Sequence, residues 1–212
     1  MSPRTSFPIA VDRLELLDWK RRVFDLYGAI RRSRDPHAAW VAWRAARDEL
    51  FTTHAQSPAP VAARAGFQGL NYFDYDPKAR VLAEVEEAEL ASYDIHTSTD
   101  TTYAFVRFGI ARFVLFGQPS ALELYWLAGY GGGVFLPFRD ATSGTETYGA
   151  GRYLLDTVKG ADLGMENGRL VLDFNFAYHP TCAYDPRWTC PLAPPANRLA
   201  VPVRAGERLF TG

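Results

Sequence analysis

This 212-residue chain is poor in the features that most directly reveal a function. Cysteine is almost absent: Cys182 and Cys190 are the only two. Seven residues separate them, too many for a zinc knuckle, and no second Cys/His pair completes four ligands. Charge of one sign is missing too. The net charge of −1 provides no field to attract nucleic acid or an anionic membrane, so neither partner is expected. No uninterrupted apolar run reaches the ~20 residues of a membrane-spanning helix. Met1 to Ala10 lacks the basic start and apolar stretch of a secretory signal. The expected compartment is therefore the cytoplasm, where thiols are reduced, metal-bound or catalytic rather than paired.

Nucleotide and nucleophile motifs are also lacking. Gly129-Tyr-Gly-Gly-Gly133 has no Lys-Ser/Thr after it and leads into a strand, so it offers a phosphate no helix N-terminus. Gly149-Ala-Gly151 lacks the third glycine and the βαβ setting of a dinucleotide fingerprint. Ser143 is not framed as Gly-x-Ser-x-Gly, which argues against a nucleophile elbow.

What the chain does have is an ordinary globular composition, 48% hydrophobic and 22% charged, with 14 Phe, 11 Tyr and 5 Trp to fill a core. Leu16, Trp19, Val23, Leu26 and Ile30 recur every three or four residues and predict a helix over 11–32. Asp35-Pro36 is an N-cap and first-turn pair for a second helix to about Phe51, with Trp40, Trp43 and Leu50 on its apolar edge. Lys20-Arg21-Arg22, Arg31, Arg32 and Arg34 read as a solvated helix face. After a loop over Gln56–Gly69 the period changes to two. Strands are expected at Val81–Leu90, Thr101–Phe108, Arg112–Phe116, Ala121–Leu127, Val134–Phe138, Arg152–Asp156 and Arg169–Phe174. Val201–Val203 is placed to close the sheet. The expected fold is α+β and mainly antiparallel β: a curved sheet or barrel-like β core (70–209) with an N-terminal helical arm of two helices (10–53), in a single domain.

Unusual chemistry concentrates between Pro137 and Asn197. Arg139-Asp140-Ala-Thr142-Ser143-Gly144 follows an apolar strand and combines a cation, a carboxylate and hydroxyls. These groups can satisfy an Asx-type turn or face a cavity, where Arg139 or Arg152 would grip an anion. Asp173, Asn175, Tyr178 and His179 cluster at another strand end, a common place for a site. A mixed site on Asp173, His179, Cys182 and Cys190 would hold zinc or iron, and a thiolate paired with His179 is a further possibility; no cofactor is the default expectation. Packed thiols or a disulfide are the plain alternative.

These same residues resemble an uncharacterised bacterial and archaeal family, the domain of unknown function 1684 family. The resemblance rests on Phe138-Arg-Asp-Ala-Thr-Ser-Gly144, Thr147-Tyr-Gly-Ala-Gly-Arg152, Leu172-Asp-Phe-Asn175, Cys182 to Cys190, Pro191-Leu-Ala-Pro-Pro-Ala-Asn197 and Ala205-Gly-Glu207. A weaker part includes Trp43-Arg-Ala-Ala-Arg47 and Phe67 to Pro77. His179 stands where many members have Asn, and Thr181 where many have Pro. Relatives are longer between the Trp43 region and the strands. The resemblance brings no activity with it.

Two functions are therefore expected from the residues. One is the binding of a small polar or anionic molecule at strand ends by Arg139, Asp140, Thr142, Tyr148, Arg152, Asp173, Asn175, Tyr178, Cys182 and Asn197, with or without catalysis. The other is a structural or partner-binding module in which these residues form a hydrogen-bonded scaffold. The oligomeric state is open; a homodimer through the N-terminal helices is one form it can take.

Overall fold

The computed structural model describes residues 9–99 and 101–209. Of the leader segment read above, residues 1–8 lie outside the described residues. Two long helices come first, α1 (Ile9–Arg32) and α2 (Pro36–Thr53), then a single turn, α3 (Val61–Arg64). Seven strands follow: β1 (Arg80–His96), β2 (Thr102–Leu115), β3 (Gln118–Leu127), β4 (Val134–Phe138), β5 (Arg152–Asp156), β6 (Met165–Glu166) and β7 (Arg169–Asp173). Among the described residues no helix is long and apolar enough to cross a membrane.

Local chemistry sets the helix boundaries. The Asp35 carboxylate accepts the Ala38 amide at 3.0 Å, and Pro36 occupies the first turn, where its missing N–H costs nothing. The apolar edge of α2 is then buried. Trp43 is fully buried between Tyr72 and Phe176, with ring centroids 5.4 and 5.3 Å away. Its indole N–H donates to the Tyr27 hydroxyl of α1, so a wide ring enters the core with its polar atom satisfied. Arg22 pairs with Asp18, and Arg31 with Asp162, on the exposed side of α1.

The sheet is antiparallel throughout, in the order β5-β4-β3-β2-β1-β7-β6. Its curvature has a clear origin. Residues Arg80–Ala83 of β1 pair with β7, and residues Glu84–His96 of the same strand pair with β2. The sheet does not close into a barrel. The segment at Val201–Val203, expected to close it, is irregular, and the outer edge of β5 is met only by isolated bridges from Tyr153 to Tyr178 and from Asp156 to Ala161.

The sequence also suggested that Gly109 separates two strands, whereas β2 runs straight through it. The register slips between Arg107 and Gly109 against β3, and between Glu87 and Ala91 against β1. A Cβ at Gly109 would lie 3.0 Å from the Glu86 carbonyl, so glycine here allows a bulge and a close backbone approach within one strand.

The main core lies on one face of the sheet, with Phe113, Leu115, Leu122, Leu136, Phe138, Leu154, Leu172 and Phe174, and is sealed by Leu199 and Val203. A second cluster joins the helices to it through Tyr27, Trp40, Trp43 and Phe176. The last described residues are tied back tightly. Gly206 has φ of +77°, and a Cβ there would lie 2.6 Å from both the Phe174 and Ala177 carbonyls. The left-handed backbone alone costs an L-residue about 1–2 kcal/mol. Gly206→Ala should therefore lower stability by about 2 kcal/mol or more in urea unfolding. A change within about 0.5 kcal/mol would contradict this close packing.

Candidate functional site

Three groups of hydrogen bonds organise the signature residues. The first centres on Arg152 at the start of β5, 1% exposed. Its guanidinium donates to Asp140 Oδ2 at 2.7 Å and to the carbonyls of Val203 (2.8 Å), Ala205 and Glu207 (3.2 Å). Burial pulls its pKa down, and the Asp140 charge opposes that pull. Asp140 Oδ1 accepts both the amide and the hydroxyl of Thr142, whose Oγ1 lies 3.0 Å from Thr147 Oγ1. Arg139 grips the Gly149 carbonyl with Nε and Nη2, at 2.9 and 2.6 Å.

The second group is Asn197. It donates to the Glu123 and Pro137 carbonyls and accepts the Glu123 amide, joining β3 to β4 through one side chain. The third lies at the end of β7. Asp173 Oδ1 accepts the Asn175 amide and side-chain N–H, while Asn175 exchanges two hydrogen bonds with the backbone of Asp76. Burial raises the Asp173 pKa. The Trp40 indole donates to the Asn175 carbonyl and fixes α2 above this turn.

Of the remaining three candidates, Tyr148 and Cys182 meet beside His179, whereas the Tyr178 hydroxyl turns to Asp156 Oδ2 at 3.5 Å. The Tyr148 amide donates to His179 Nε2 at 3.2 Å, and its hydroxyl lies 3.8 Å from Cys182 Sγ. Because Nε2 accepts, the ring proton resides on Nδ1, which faces Glu207 Oε1 at 3.9 Å. His179 is thus engaged with a backbone amide rather than paired with a thiol.

Glu207, missed as a candidate, holds this region together. Its carboxylate is 1% exposed and accepts Arg47 Nη2 at 2.8 Å and the His179 amide at 2.9 Å. Arg47 donates as well to the Tyr72 hydroxyl at 3.0 Å and stacks its guanidinium 5.1 Å from the Tyr178 ring centre. Burial pushes the Glu207 carboxyl up to about 7 against the pull of Arg47. Burial, with the charges of Arg152 and Arg47, pushes His179 down to about 3. Both motifs were visible, as Trp43-Arg-Ala-Ala-Arg47 and Ala205-Gly-Glu207. Nothing in their spacing, 160 residues, announces that they pair.

His179 and Glu207 also line a cleft of about 520 Å³. Phe67, Leu70, Tyr184 and Leu209 also line it. The buried Tyr184 hydroxyl has no hydrogen-bond partner among the described residues. Both cysteines are free thiols. Among the described residues no group of three or more His, Cys, Asp or Glu side chains is placed to hold a metal ion, so Asp173, His179, Cys182 and Cys190 do not assemble into a zinc or iron site.

An open, curved antiparallel sheet with two helices packed against it defines an α+β protein whose polar signature is buried. Residues 65–208 match the family described as a protein of unknown function (DUF1684), and the chain belongs to that family. It is similar to an uncharacterised protein of Haloarcula marismortui solved by NMR in solution. The two are 39% identical over 81% of this chain and 93% of that one, with a TM-score of 0.58. None of the curated proteins matches the sequence.

Asp140→Ala leaves the Arg152 cation buried without its counter-charge and should lower stability by about 3–5 kcal/mol in urea unfolding. A loss under about 1 kcal/mol would show that Arg152 does not depend on the pair. His179 and Glu207 make a pH prediction. In the folded chain His179 stays neutral down to about pH 3, whereas unfolded it takes up a proton below about 6.5, so its contribution to stability falls as pH falls through that window. Glu207 acts in the opposite sense. Its folded pKa of about 7 exceeds the ordinary 4.5, so stability rises as pH falls from 7 to 4.5. The two effects offset each other in the native protein. His179→Asn keeps only the Glu207 effect and should gain stability, relative to the parent chain, between pH 7 and pH 5. Identical pH responses of the two urea midpoints would count against this pairing.

Proposed function

We propose that the chain binds a small molecule in the cleft beside Tyr184. Its polar head meets Glu207 and His179, and its apolar body lies against Phe67, Leu70 and Leu209. One observation carries this reading: a buried carboxyl group, pushed up to about 7 by burial, lines a largely apolar cleft of about 520 Å³ together with Asn71, His179 and Arg208. Burying such a group opposes folding unless partners compensate, and perturbed carboxyls cluster at sites where ligands or protons are handled. A carboxyl poised near neutrality can also accept or release a proton there.

The scaffold reading has its own support and is compatible with the cleft. Arg139, Asp140, Thr142, Arg152, Asp173, Asn175 and Asn197 place their polar atoms on the protein's own backbone and side chains. On this view they hold the segments that carry Tyr148, His179, Tyr184 and Glu207 in position around a ligand.

A fragment library screened by amide chemical shifts tests the proposal. Hits should perturb Leu70, Tyr184 and Leu209 together. Glu207→Gln, which retains an acceptor for Arg47, should weaken them by about tenfold through loss of a charge-assisted hydrogen bond. Hits that map elsewhere, or that ignore Glu207→Gln, would overturn it.

A further inference from the structure

Cys182 and Cys190 take no part in the cleft or in the Arg152 network, and their surroundings are not those of inert, packed thiols. A structural cysteine sits among apolar atoms. Here the Cys190 sulfur, on a residue 2% exposed, is met by polar donors. The Cys182 amide donates to it at 3.3 Å, and the Thr181 hydroxyl lies 3.1 Å away. The Cys182 thiol itself lies 3.8 Å from the Tyr148 hydroxyl. The Cys182 amide donates to the Cys190 sulfur, and the Thr181 hydroxyl is placed to donate to it when it is a thiolate.

The two residues close a short loop whose ends are anchored separately. Cys182 lies in the tight turn Thr181–Ala183. The Cys190 amide donates to Ser98 Oγ at 3.2 Å, while Ser98 Oγ donates to the Trp188 carbonyl at 3.1 Å. Cys190 is thereby held at the end of β1, and the Cys182 backbone is held against its sulfur.

We infer that Cys182 and Cys190 form a peroxide-reducing dithiol site, in which Cys190 is the nucleophile and Cys182 the resolving thiol. The substrate class is hydrogen peroxide or a small hydroperoxide, compact enough to reach a buried sulfur. The Cys190 thiolate attacks one peroxide oxygen and the O–O bond breaks. Cys190 becomes the sulfenic acid, and hydroxide, or alkoxide from a hydroperoxide, departs. Cys182 then attacks the Cys190 sulfur, the S–O bond breaks, and the Cys182 proton leaves with that oxygen as water. Two thiol sulfurs are oxidised to one disulfide while the peroxide is reduced by two electrons.

The burial of the two residues gives the cycle a direction. Cys190 is shielded from larger oxidants, whereas Cys182 is only half-buried, so an external thiol would reopen the disulfide at Cys182. The protonation states agree with these roles. The hydrogen bonds around Cys190 pull it down to about 6 against burial, while the neighbouring Cys190 and burial drive Cys182 up.

Stoichiometric hydrogen peroxide added to the full reduced chain, followed by alkylation and mass spectrometry, tests this. Both cysteines should resist alkylation, the mass should fall by two hydrogen atoms, and dithiothreitol should restore both thiols. Cys182→Ser should stop at a sulfenic acid on Cys190 that dimedone traps. Thr181→Val should slow the peroxide reaction severalfold with an unchanged urea midpoint, a result that a purely structural hydroxyl would not give. The rate of the parent chain should fall as pH drops below about 6. This last measurement needs no variant that has to fold. Thiols that remain alkylatable after peroxide, or that both titrate near the ordinary value of about 8.5, would overturn the assignment.

Discussion

A guanidinium removed from water must find acceptors for its donors and a counter-charge for its cation, and Arg152 finds both inside the protein. Three of its acceptors are consecutive odd-numbered carbonyls, those of Val203, Ala205 and Glu207. One side chain thus fixes a segment that lies outside the seven strands and makes one isolated bridge, between Tyr72 and Glu207. The fourth is Asp140, which also organises the turn after β4. Because an uncompensated buried charge is so unfavourable, these elements are constrained together rather than one at a time. The Glu207 side chain, projecting from the same segment, is consequently delivered to Arg47 of α2 and to the backbone of His179.

The dense polar signature therefore serves mostly to hold irregular chain in place. Much of the C-terminal third has no ladder to satisfy its backbone, and Arg139, Asn175 and Asn197 supply the missing partners. What such a frame can support is a set of chemically notable groups at its margin: the Glu207 carboxyl, the unpartnered Tyr184 hydroxyl and the Cys190 sulfur. Each is oriented by residues that are themselves fully engaged, the arrangement from which binding and reactive sites draw their precision.

Much of the architecture was legible in the residues because it depends on short-range pattern. The three-four spacing of Leu16 to Ile30, the Asp35-Pro36 cap and the alternation within the strands each depend on neighbours a few positions away. The exceptions are instructive. Gly109 punctuates the pattern as a turn would, but a glycine in a strand also lets two backbones approach, and only the Glu86 carbonyl opposite it decides between these uses. Val201–Val203 has strand-like composition, yet the Val203 carbonyl goes to Arg152 and the sheet stays open.

The candidate site was less legible for the same reason. Residue type marks Arg139, Asp173 and Asn197 as chemically notable, but it does not say whether their partners are a ligand or the backbone. Local sequence settles the helices, the strands, the caps and the family to which the chain belongs. Tertiary structure alone decides that Arg47 meets Glu207 across 160 residues, that His179 gives its free nitrogen to Tyr148, and that Cys190 lies against the Cys182 amide. Secondary structure follows from interactions within a few residues, whereas protonation, burial and reactivity depend on which distant groups the fold brings within a few ångströms.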